Sequence, residues 1–530
     1  MAGVGRNVDA TRTSCGDFNF LIVSHENGGI SDLFKFLVCN DQESGAKFLE
    51  SSNGDVFFPF QEDEEDGGDV RRDHRWVIVV SIIVRRIIKV FGKPMEWFGY
   101  LVEFILNLLS LNGNFLGLLV NILHGNVVMP ERGSETFISA IGHLDGRVDL
   151  FKTETFSENI SHGVFETNKL PWEMGNPVLM DVCMMASKLA YENKKVVKNV
   201  VNLYWKMHFV AFYNCWNDYQ KERSTQVFIM CDKPKDANLI LVSFRGTEPF
   251  DAGDWITDFD YSWYEIPELG KVHMGFLEAL GLGSRVETST FHTHLQTNNL
   301  KAAASKLDGF KPDKTSSDTV RELLPAMVET TAYHAVRSEL EDLLKEHKNA
   351  KFVVTGHSLG GALAILIPTV LVLHEEEAVM QRLLGVYTFG QPRIGNRQLG
   401  RYMEARLDSK YFRVVYCNDL VPRLPYDNET FLYKHFGLCL YYNSLYIEQN
   451  VDEEPNRNYF GWRFLIPEYL NSVWELLRSL MMGCLYGPEY KECWETFIVR
   501  MVGLAIPGLS AHSPVDYVNS VRLGRRRTYS

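Results

Sequence analysis

A serine between two glycines, at the point where an apolar strand turns into a helix, is the feature that most constrains this chain. Residues 352–364 read FVVTGHSLGGALA, with Gly356 and Gly360 on either side of Ser358. A strand that reverses into a helix within a few residues needs a sharp turn, and glycines remove the side chains that would clash there. Because such a turn exposes the serine hydroxyl, we interpret Ser358 as a nucleophile.

The residues around this turn favour a nucleophile over a chance match of small residues. KFVV before the turn is typical of a strand, and GALAILIPTVLVL after it is apolar and compatible with a long helix. The first amides of that helix would point their N–H groups at a group attached to Ser358. The oxyanion of an acyl-enzyme is held in this way.

Composition predicts a large folded protein and gives no support to a nucleic-acid-binding, metal-binding or secreted protein. The chain has 530 residues, 45% of them hydrophobic, which suffices for a large core and predicts two or more regions. Its net charge of -13 gives no support to a nucleic-acid partner. The nine cysteines are scattered, without a CxxC pair or metal-like spacing, so we expect buried free thiols and no metal. No signal-peptide pattern opens the sequence, so we expect a cytosol-facing protein.

The sequence pattern before residue 97 predicts a surface region, residues 1–70, followed by a basic helix over residues 76–91. Residues 1–70 are mixed and end in the acidic run EDEEDGGD, which we interpret as a solvated segment or linker. A helix over residues 76–91 would gather nearby basic side chains into one sector, as in a helix on a membrane surface. The β-branched residues there also suit a buried strand. The basic sector comprises Arg71, Arg72, Arg75, Arg85, Arg86, Lys89 and Lys93.

Residues 97–123 are apolar apart from one charge, Glu103, and a polar centre, SLNGN at 110–114. Their length would allow one membrane crossing. The polar, turn-forming centre favours a re-entrant hairpin at least as strongly. A buried helical hairpin against the rest of the protein is the third alternative. Together with the basic residues upstream, this pattern leads us to expect that residues 71–130 associate with lipid.

From about residue 175 to 525, strands alternate with helices, which predicts one α/β unit with a mostly parallel central sheet. In such sheets, ligands bind beyond the carboxyl ends of the strands, where Thr247, Ser358 and Asp419 are all predicted to lie. Besides the strand before Ser358, the sequence predicts strands within 238–248, 383–396 and 411–425, and helices at 179–193 and 333–350.

Two insertions are expected within this unit. The stretch at about 284–318 is polar and poor in aromatic residues, which is typical of a surface insertion. The stretch at about 459–509 is rich in aromatic residues and leucine and predicts helices. These helices would belong to the core or form the wall of an acyl-chain pocket.

A serine hydroxyl is an effective nucleophile only when a histidine takes its proton and an acid fixes the tautomer of that histidine. His512 lies in the loop-like stretch PGLSAHSPVDYV, which suits a ring delivered from a loop to the end of a strand. His374 lies about four turns along the helix that leaves the serine, which points it away. His435, in YKHFG, is assigned a structural role. We therefore predict His512 as the base.

Asp419 is the candidate acid. It follows the strand RVVY and precedes LVPRLP, so its carboxylate would emerge at the same sheet edge as Ser358. Asp427 lies beyond two prolines, and Asp516 is only four residues from His512. The sequence thus predicts a catalytic triad of Ser358, Asp419 and His512.

Seven motifs, in one order, carry a resemblance to a known family. Over roughly 180–520 the chain resembles the class 3 lipases, the fungal-lipase-like branch of the α/β hydrolases. This resemblance implies an α/β-hydrolase fold and an oxyanion hole formed by Thr247 and by the backbone N–H of Leu359. It also identifies residues 248–258 as a lid. The motifs are SFRGTE, DWITDFDY, VHMGFLEAL, VVTGHSLGGALA, VYTFGQPRIGN, YCNDLVPRLP and AHSPVDYV.

The apolar segment, the aromatic insertion and the basic tail RLGRRRTYS more narrowly resemble plant oil-body lipases. That resemblance implies a serine hydrolase without a cofactor, which cleaves triacylglycerol, and also di- and monoacylglycerol, at a cytosol-facing lipid-droplet monolayer or membrane surface. Because a droplet is a monolayer over oil, residues 97–123 would lie flat or dip in and return, with the polar groups of the turn satisfied. Two alternatives remain: a phospholipase A1 or galactolipase acting on bilayers, and a non-catalytic lipase-like signalling scaffold.

Overall fold

The computed structural model describes residues 19–52, 75–151, 174–217, 219–295, 331–426, 433–456, 462–486, 490 and 492–526. Strands and helices are numbered in chain order. The strands are β1 (Phe20–Val23), β2 (Leu49–Ser51), β3 (His208–Asn217), β4 (Glu222–Cys231), β5 (Leu239–Phe244), β6 (Trp263–Ile266), β7 (Gly270–His273), β8 (Lys351–His357), β9 (Leu383–Phe389), β10 (Gly395–Asn396), β11 (Tyr411–Tyr416), β12 (Tyr433–Lys434), β13 (Leu438–Tyr442), β14 (Ile447–Val451) and β15 (Arg525–Arg526).

The helices follow the same numbering, and single turns of 3-10 helix at Val421–Arg423 and Ser510–His512 are left unnumbered. The helices are α1 (Ile30–Cys39), α2 (Gln42–Ala46), α3 (Arg75–Leu111), α4 (Asn114–His124), α5 (Ala140–Leu144), α6 (Pro177–Leu189), α7 (Lys194–Asn199), α8 (Ala252–Asp258), α9 (Met274–Ala279), α10 (Ser289–Leu295), α11 (Ala332–Glu346), α12 (Leu359–Leu373), α13 (Glu377–Met380), α14 (Arg397–Leu407), α15 (Trp462–Tyr486), α16 (Trp494–Gly503) and α17 (Pro514–Leu523).

The central sheet has the strand order β15-β14-β13-β11-β9-β8-β5-β4-β3. Its middle strands, β13, β11, β9, β8 and β5, run parallel, whereas β4 and β3 extend it antiparallel. Every residue of β5 and β9 is buried, because helices cover both faces of a parallel sheet. The prediction of an α/β-hydrolase fold around a mostly parallel sheet is confirmed, with the expected strands and helices.

A second sheet joins the N-terminal residues to the same unit. Its strand order is β12-β10-β7-β6-β1-β2. Strand β1 pairs antiparallel with β6, with Leu21 opposite Trp263. The backbone N–H of Val23 also donates to the hydroxyl of Ser262 at 2.9 Å. The described part of residues 1–70 therefore packs directly on the α/β unit.

Residues 76–91 form part of the long helix α3, so the helix interpretation is confirmed over the strand alternative. The interpretation of its basic sector as a membrane-facing surface is wrong for Arg85 and Arg86. Arg85 is 0% exposed and pairs with Asp260 at 2.9 Å. Arg86 donates from Nε to the carbonyl of His25 at 2.6 Å.

The apolar neighbours of these arginines explain the difference. Ile78, Val79 and Ile82 share the basic sector of α3 and are buried in a core beside β1 and β6. Their burial turns the arginines toward the protein, where the guanidinium groups find carbonyl and carboxylate partners. Arg71 and Arg72 lie outside the described residues.

Helices α3 and α4 form a hairpin whose turn lies at Asn112 and Gly113, within the predicted polar centre. The Asn112 amide donates to the carbonyls of Leu108 and Val128 at 2.9 and 2.8 Å. Its oxygen accepts from the Val128 N–H at 2.9 Å and from Asn121 at 3.0 Å. The Asn112 side chain thereby joins the turn to Val128 and to Asn121 of α4. None of the helices in the described ranges is both long and apolar enough to cross a membrane.

The two expected insertions are described in part. In the stretch 284–318 the structure describes residues 284–295, where α10 buries Phe291 and Leu295. In the stretch 459–509 the predicted helices are present as α15 and α16. Of the large apolar side chains that the structure describes in these two helices, most are exposed rather than part of the core.

Candidate active site

Ser358 occupies the turn between β8 and α12. Its backbone has φ 57° and ψ -133°, a conformation that non-glycine residues rarely adopt. The Ser358 N–H donates to the carbonyl of Phe389 at 2.9 Å, which fixes the turn against β9. A Cβ atom added at Gly356 would lie 2.2 Å from Gly360, and one added at Gly360 would lie 2.4 Å from the carbonyl oxygen of Phe244. Neither glycine has room for a side chain.

Asp419 and His512 meet at the carboxyl ends of the neighbouring strands. The Oδ2 atom of Asp419 accepts from Nδ1 of His512 at 2.8 Å and from the hydroxyl of Tyr517. Its Oδ1 atom accepts from the Val421 N–H at 2.9 Å. In the described part of the chain, Nε2 of His512 has no hydrogen-bond partner. The histidine is thus oriented by the carboxylate, and its second nitrogen is available to a proton donor.

His357 connects this pair to the serine that follows it in the chain. Its ring lies 4.6 Å from the ring of His512, and its Nε2 atom lies 3.1 Å from the His512 carbonyl. Because a carbonyl only accepts, His357 donates from Nε2, and its Nδ1 accepts from the hydroxyl of Tyr191 at 2.9 Å. Burial and the nearby His512 hold the pKa of His357 well below its ordinary value. A neutral His357 therefore fixes the backbone of His512 beside the serine turn.

Gly390 leaves space for the acid and the histidine. A Cβ atom there would lie 2.9 Å from Cε1 of His512 and 3.0 Å from Oδ2 of Asp419. The glycine also has φ 61°, in the left-handed region. A side chain at this position would push the two groups apart.

Thr247 follows β5, and the residue before it, Gly246, lies against the serine turn. A Cβ atom on the preceding Gly246 would lie 2.3 Å from the His357 carbonyl oxygen and 3.0 Å from Cβ of Ser358. The Thr247 hydroxyl donates to Oδ2 of Asp258 at 2.9 Å. Burial raises the pKa of Asp258 to about 7, although the Thr247 hydroxyl and His512 both act to lower it. Leu359, whose N–H is the other expected oxyanion donor, is the first residue of α12.

Residues 248–258, which resemble a lid, are packed beneath α3. A Cβ atom on Gly99 would lie 2.5 Å from Phe250, and one on Gly92 would lie 2.9 Å from Cβ of Ala252. The rings of Phe98 and Phe250 meet edge to face at 5.9 Å. Ser358 itself is only 2% exposed, so the serine is covered in this structure.

The alternative site residues that the structure describes are engaged elsewhere. His374 contacts the Tyr333 hydroxyl at 2.8 Å, and His435 donates to the carbonyl of Pro422 at 2.7 Å. Asp516 accepts from Nη2 of Arg500 at 2.8 Å. Asp427 lies outside the described residues. Of the predicted residues, the structure joins Asp419 directly to His512, and it joins His512 to the serine turn through His357, the residue before Ser358.

Besides His357, three residues that contact the site were not singled out from the sequence. Asp258 lies in the motif DWITDFDY, Tyr517 lies in AHSPVDYV, and Gly390 lies in VYTFGQPRIGN. The sequence signal that could have identified these residues is that each of them lies in one of the seven motifs. Their roles depend on contacts between segments far apart in the chain, such as the 98 residues that separate Tyr517 from Asp419.

Comparison with known proteins gives one consistent result. The profile of the family described as Lipase (class 3) matches residues 241–429. A triacylglycerol lipase OBL1 from Nicotiana tabacum is 65% identical over 97% of this chain and 96% of its own. The Arabidopsis thaliana protein of that name is 56% identical over 96% and 95%. The Ricinus communis protein is 47% identical over 95% of each chain.

A solved structure of Rhizomucor miehei lipase with its propeptide is 22% identical over 48% of this chain and 63% of its own, with a TM-score of 0.32. The relatives at 47 to 65% identity extend over nearly the whole length of the chain. The predicted resemblance is thereby confirmed, and this chain belongs to the class 3 lipase family, in the group of its plant OBL1 relatives.

Proposed function

We propose that this chain is a serine lipase that hydrolyses triacylglycerol, and also di- and monoacylglycerol, at the cytosol-facing surface of lipid droplets. The observation that carries the proposal is the strained Ser358 turn, held against the hydrogen-bonded pair of Asp419 and His512. The names of the OBL1 relatives support triacylglycerol as the substrate. The proposed reaction requires no metal or cofactor.

In this reaction, Nε2 of His512 takes the proton of the Ser358 hydroxyl as the serine oxygen attacks the ester carbonyl. Asp419 keeps the proton of the ring on Nδ1 and stabilises the imidazolium that forms. The backbone N–H groups of Leu359 and Thr247 bind the oxyanion of the tetrahedral intermediate, and the Thr247 hydroxyl adds a third donor when it turns from Asp258 to the substrate. His512 then protonates the departing alcohol, and a water molecule, activated by the same nitrogen, releases the fatty acid.

Replacing Thr247 with valine tests its proposed role in the oxyanion hole. Valine keeps the shape of threonine and removes the hydroxyl, so kcat is expected to fall by about 10² to 10³ while KM changes little. Thr247→Ser is the matched control, because serine keeps the hydroxyl and loses only a methyl group. Kinetics on a soluble short-chain ester provide the measurement. A kcat for Thr247→Val close to that of the wild type would remove the hydroxyl from the mechanism.

The location at a lipid surface is supported by the α3–α4 hairpin. No residue of α4 is buried, and Leu116 and Leu123 are 75% and 84% exposed. On α3, Trp97 is 72% exposed. The Asn112 side chain has both its amide donors and its oxygen bonded within the protein, so this group can enter an apolar phase without losing its partners. We therefore assign droplet association to residues 71–130, with the hairpin dipping into the monolayer and returning.

The substrate proposal is tested by offering two lipids side by side. Purified wild-type protein is incubated with emulsified triacylglycerol and with phospholipid vesicles, and released fatty acid is measured from each. We expect release mainly from the emulsion. Release mainly from vesicles would favour the phospholipase or galactolipase alternative. No release from either lipid, together with failure of a fluorophosphonate probe to label Ser358, would favour the signalling scaffold.

A further inference from the structure

Among the described side chains of helices α15 and α16, the charged groups are buried or half-buried and most of the large apolar groups are exposed. On α15, the buried positions Glu468, Ser472, Glu475 and Arg478 recur every three or four residues, so they lie on one face of the helix. Each of them is at most 4% exposed. On α16 the buried residues include Thr496 and Arg500. A helix that faces water shows the opposite arrangement.

The buried charges are held by ion pairs within the protein. Arg478 pairs with Glu475 at 2.5 Å and with Asp516 at 3.3 Å. Arg500 pairs with the same Asp516 at 2.7 Å and with Glu492 at 2.9 Å. Because α17 carries Asp516, this network ties both helices to the segment that directly follows His512.

We define the outer face as the exposed apolar residues of α15 from Leu465 to Met481 and of α16 from Trp494 to Val502. It holds nine exposed large apolar side chains on α15 and five on α16. The largest exposures are 72% at Ile466 and 66% at Leu470. Among the described side chains of the two helices, no exposed residue carries a charge, and the half-buried Glu495 lies at the start of α16.

Two aromatic residues of the outer face, Trp474 and Tyr469, have their polar partners within the protein. The Trp474 indole N–H donates to the hydroxyl of Ser444 at 3.2 Å. The Tyr469 hydroxyl donates to the carbonyl of Ala505 at 3.4 Å. The polar atoms of these two residues are therefore satisfied within the protein, while Trp474 and Tyr469 stay 41% and 42% exposed. A protein partner normally supplies hydrogen bonds and charges, whereas a hydrocarbon phase supplies neither.

The outer face also borders the candidate active site. Helix α16 ends at Gly503, and the exposed Ile506 and the turn that carries His512 follow within nine residues. On the inner side of α15, Glu475 accepts from the hydroxyl of Tyr416, at the end of the strand that precedes Asp419. A lipid phase against the outer face would thus lie close to the residues proposed to act on acyl esters.

From this arrangement, and resting on the proposed function, we propose that the outer face is a second lipid-docking surface, distinct from the α3–α4 hairpin. Its occupant is the acyl-chain region of the monolayer that covers an acylglycerol droplet. The hairpin holds the protein on the droplet, whereas the outer face holds the active site against the lipid from which the substrate comes.

The test uses three glutamates on the outer face: Leu470→Glu, Leu477→Glu and Ile498→Glu, combined in the full chain. The matched control places three glutamates at exposed apolar residues elsewhere: Ile30→Glu, Leu203→Glu and Val286→Glu. Binding is measured by flotation with triolein droplets coated with phosphatidylcholine, in a Ser358→Ala background so that no turnover occurs. Activity is measured in the Ser358 background on the same droplets and on a soluble short-chain ester.

We expect the outer-face variant to lose at least about tenfold in droplet binding and in droplet hydrolysis. The reason is that three apolar side chains, which would contact the acyl chains of the droplet, are replaced by charged ones. The soluble-ester rate is expected to stay unchanged in both triple variants, which shows that the fold and the chemistry are intact. Serine at the same three positions gives a second variant, for which we expect a smaller loss in the same direction.

Droplet binding by the outer-face variant equal to that of the control would overturn the proposal. A wild-type dimer that this variant converts to a monomer, with droplet binding retained, would also overturn it and assign the face to a second copy of the chain. Failure of the proposed function has a different signature. In that case the wild type releases no fatty acid from droplets, while flotation still depends on the outer face and the docking proposal stands.

Discussion

Replacing Ser358 with alanine is expected to lower the turnover of acylglycerol by about 10⁶-fold. The substitution removes the only atom that forms the covalent bond to the acyl group in the proposed reaction. The serine backbone already has φ 57° in a turn fixed by the hydrogen bond to Phe389, and alanine has the same Cβ requirement there. Stability is therefore expected to change little, and the loss is expected in kcat.

The measurement is fatty-acid release from a triacylglycerol emulsion, together with labelling by a fluorophosphonate probe. Ser243→Ala is a matched control, because this serine is also fully buried, lies in the neighbouring strand β5 and has an Oγ atom without a partner among the described residues. We expect the control to keep its rate and its labelling. A rate for Ser358→Ala close to that of the control would move the nucleophile to another residue.

The serine turn could be predicted because its physics is local. The two glycines, the serine and the apolar segments on either side lie within about 20 residues, and each has a steric or hydrophobic reason to be there. The meeting of Asp419 with His512 could also be predicted, because parallel strands bring their carboxyl ends to one edge of the sheet. The structure indeed joins these two side chains by a 2.8 Å hydrogen bond.

The environment of α3 could not be predicted in the same way. Helical periodicity correctly groups Arg85 with Ile78, Val79 and Ile82 in one sector, but it does not state whether that sector faces lipid or protein. The partner that decides this, Asp260, lies 175 residues further along the chain. Burial would raise the pKa of Asp260, yet the guanidinium groups of Arg85 and Arg285 lower it below its ordinary value. The ionised pair therefore remains buried and anchors α3 to the second sheet.

In the aromatic insertion, too, the local sequence predicts the helices but not which of their faces is buried. Its composition predicts helices, which the structure confirms, but a helix rich in leucine is normally expected to turn its apolar side inward. In α15 the ion pairs of Arg478 with Glu475 and Asp516 reverse this orientation. Because Asp516 lies 38 residues after Arg478, no local pattern reveals that the charges are buried.

Replacing Asp419 with asparagine is expected to lower kcat by about 10⁴-fold and to leave KM nearly unchanged. The reason is that three hydrogen-bond donors hold the Asp419 carboxylate in place. The Val421 N–H donates to Oδ1 of the carboxylate, and His512 and the Tyr517 hydroxyl donate to Oδ2. The backbone donor holds the amide oxygen of an asparagine in the Oδ1 position, so the NH₂ group faces His512. Nδ1 of the histidine must then accept, which places the ring proton on Nε2. In that tautomer Nε2 cannot take the proton of Ser358.

The measurement is the kinetics of Asp419→Asn and Asp516→Asn on a soluble ester, with thermal unfolding of each protein. Asp516 is the matched control, because it is equally buried, lies four residues from His512 and pairs with Arg478 and Arg500 instead. Loss of its charge leaves both arginines with weaker partners, so Asp516→Asn is expected to lower the unfolding temperature and to keep most of kcat. The reverse result, a near-normal rate for Asp419→Asn and a loss of about 10⁴-fold for a folded Asp516→Asn protein, would transfer the role of the acid to Asp516.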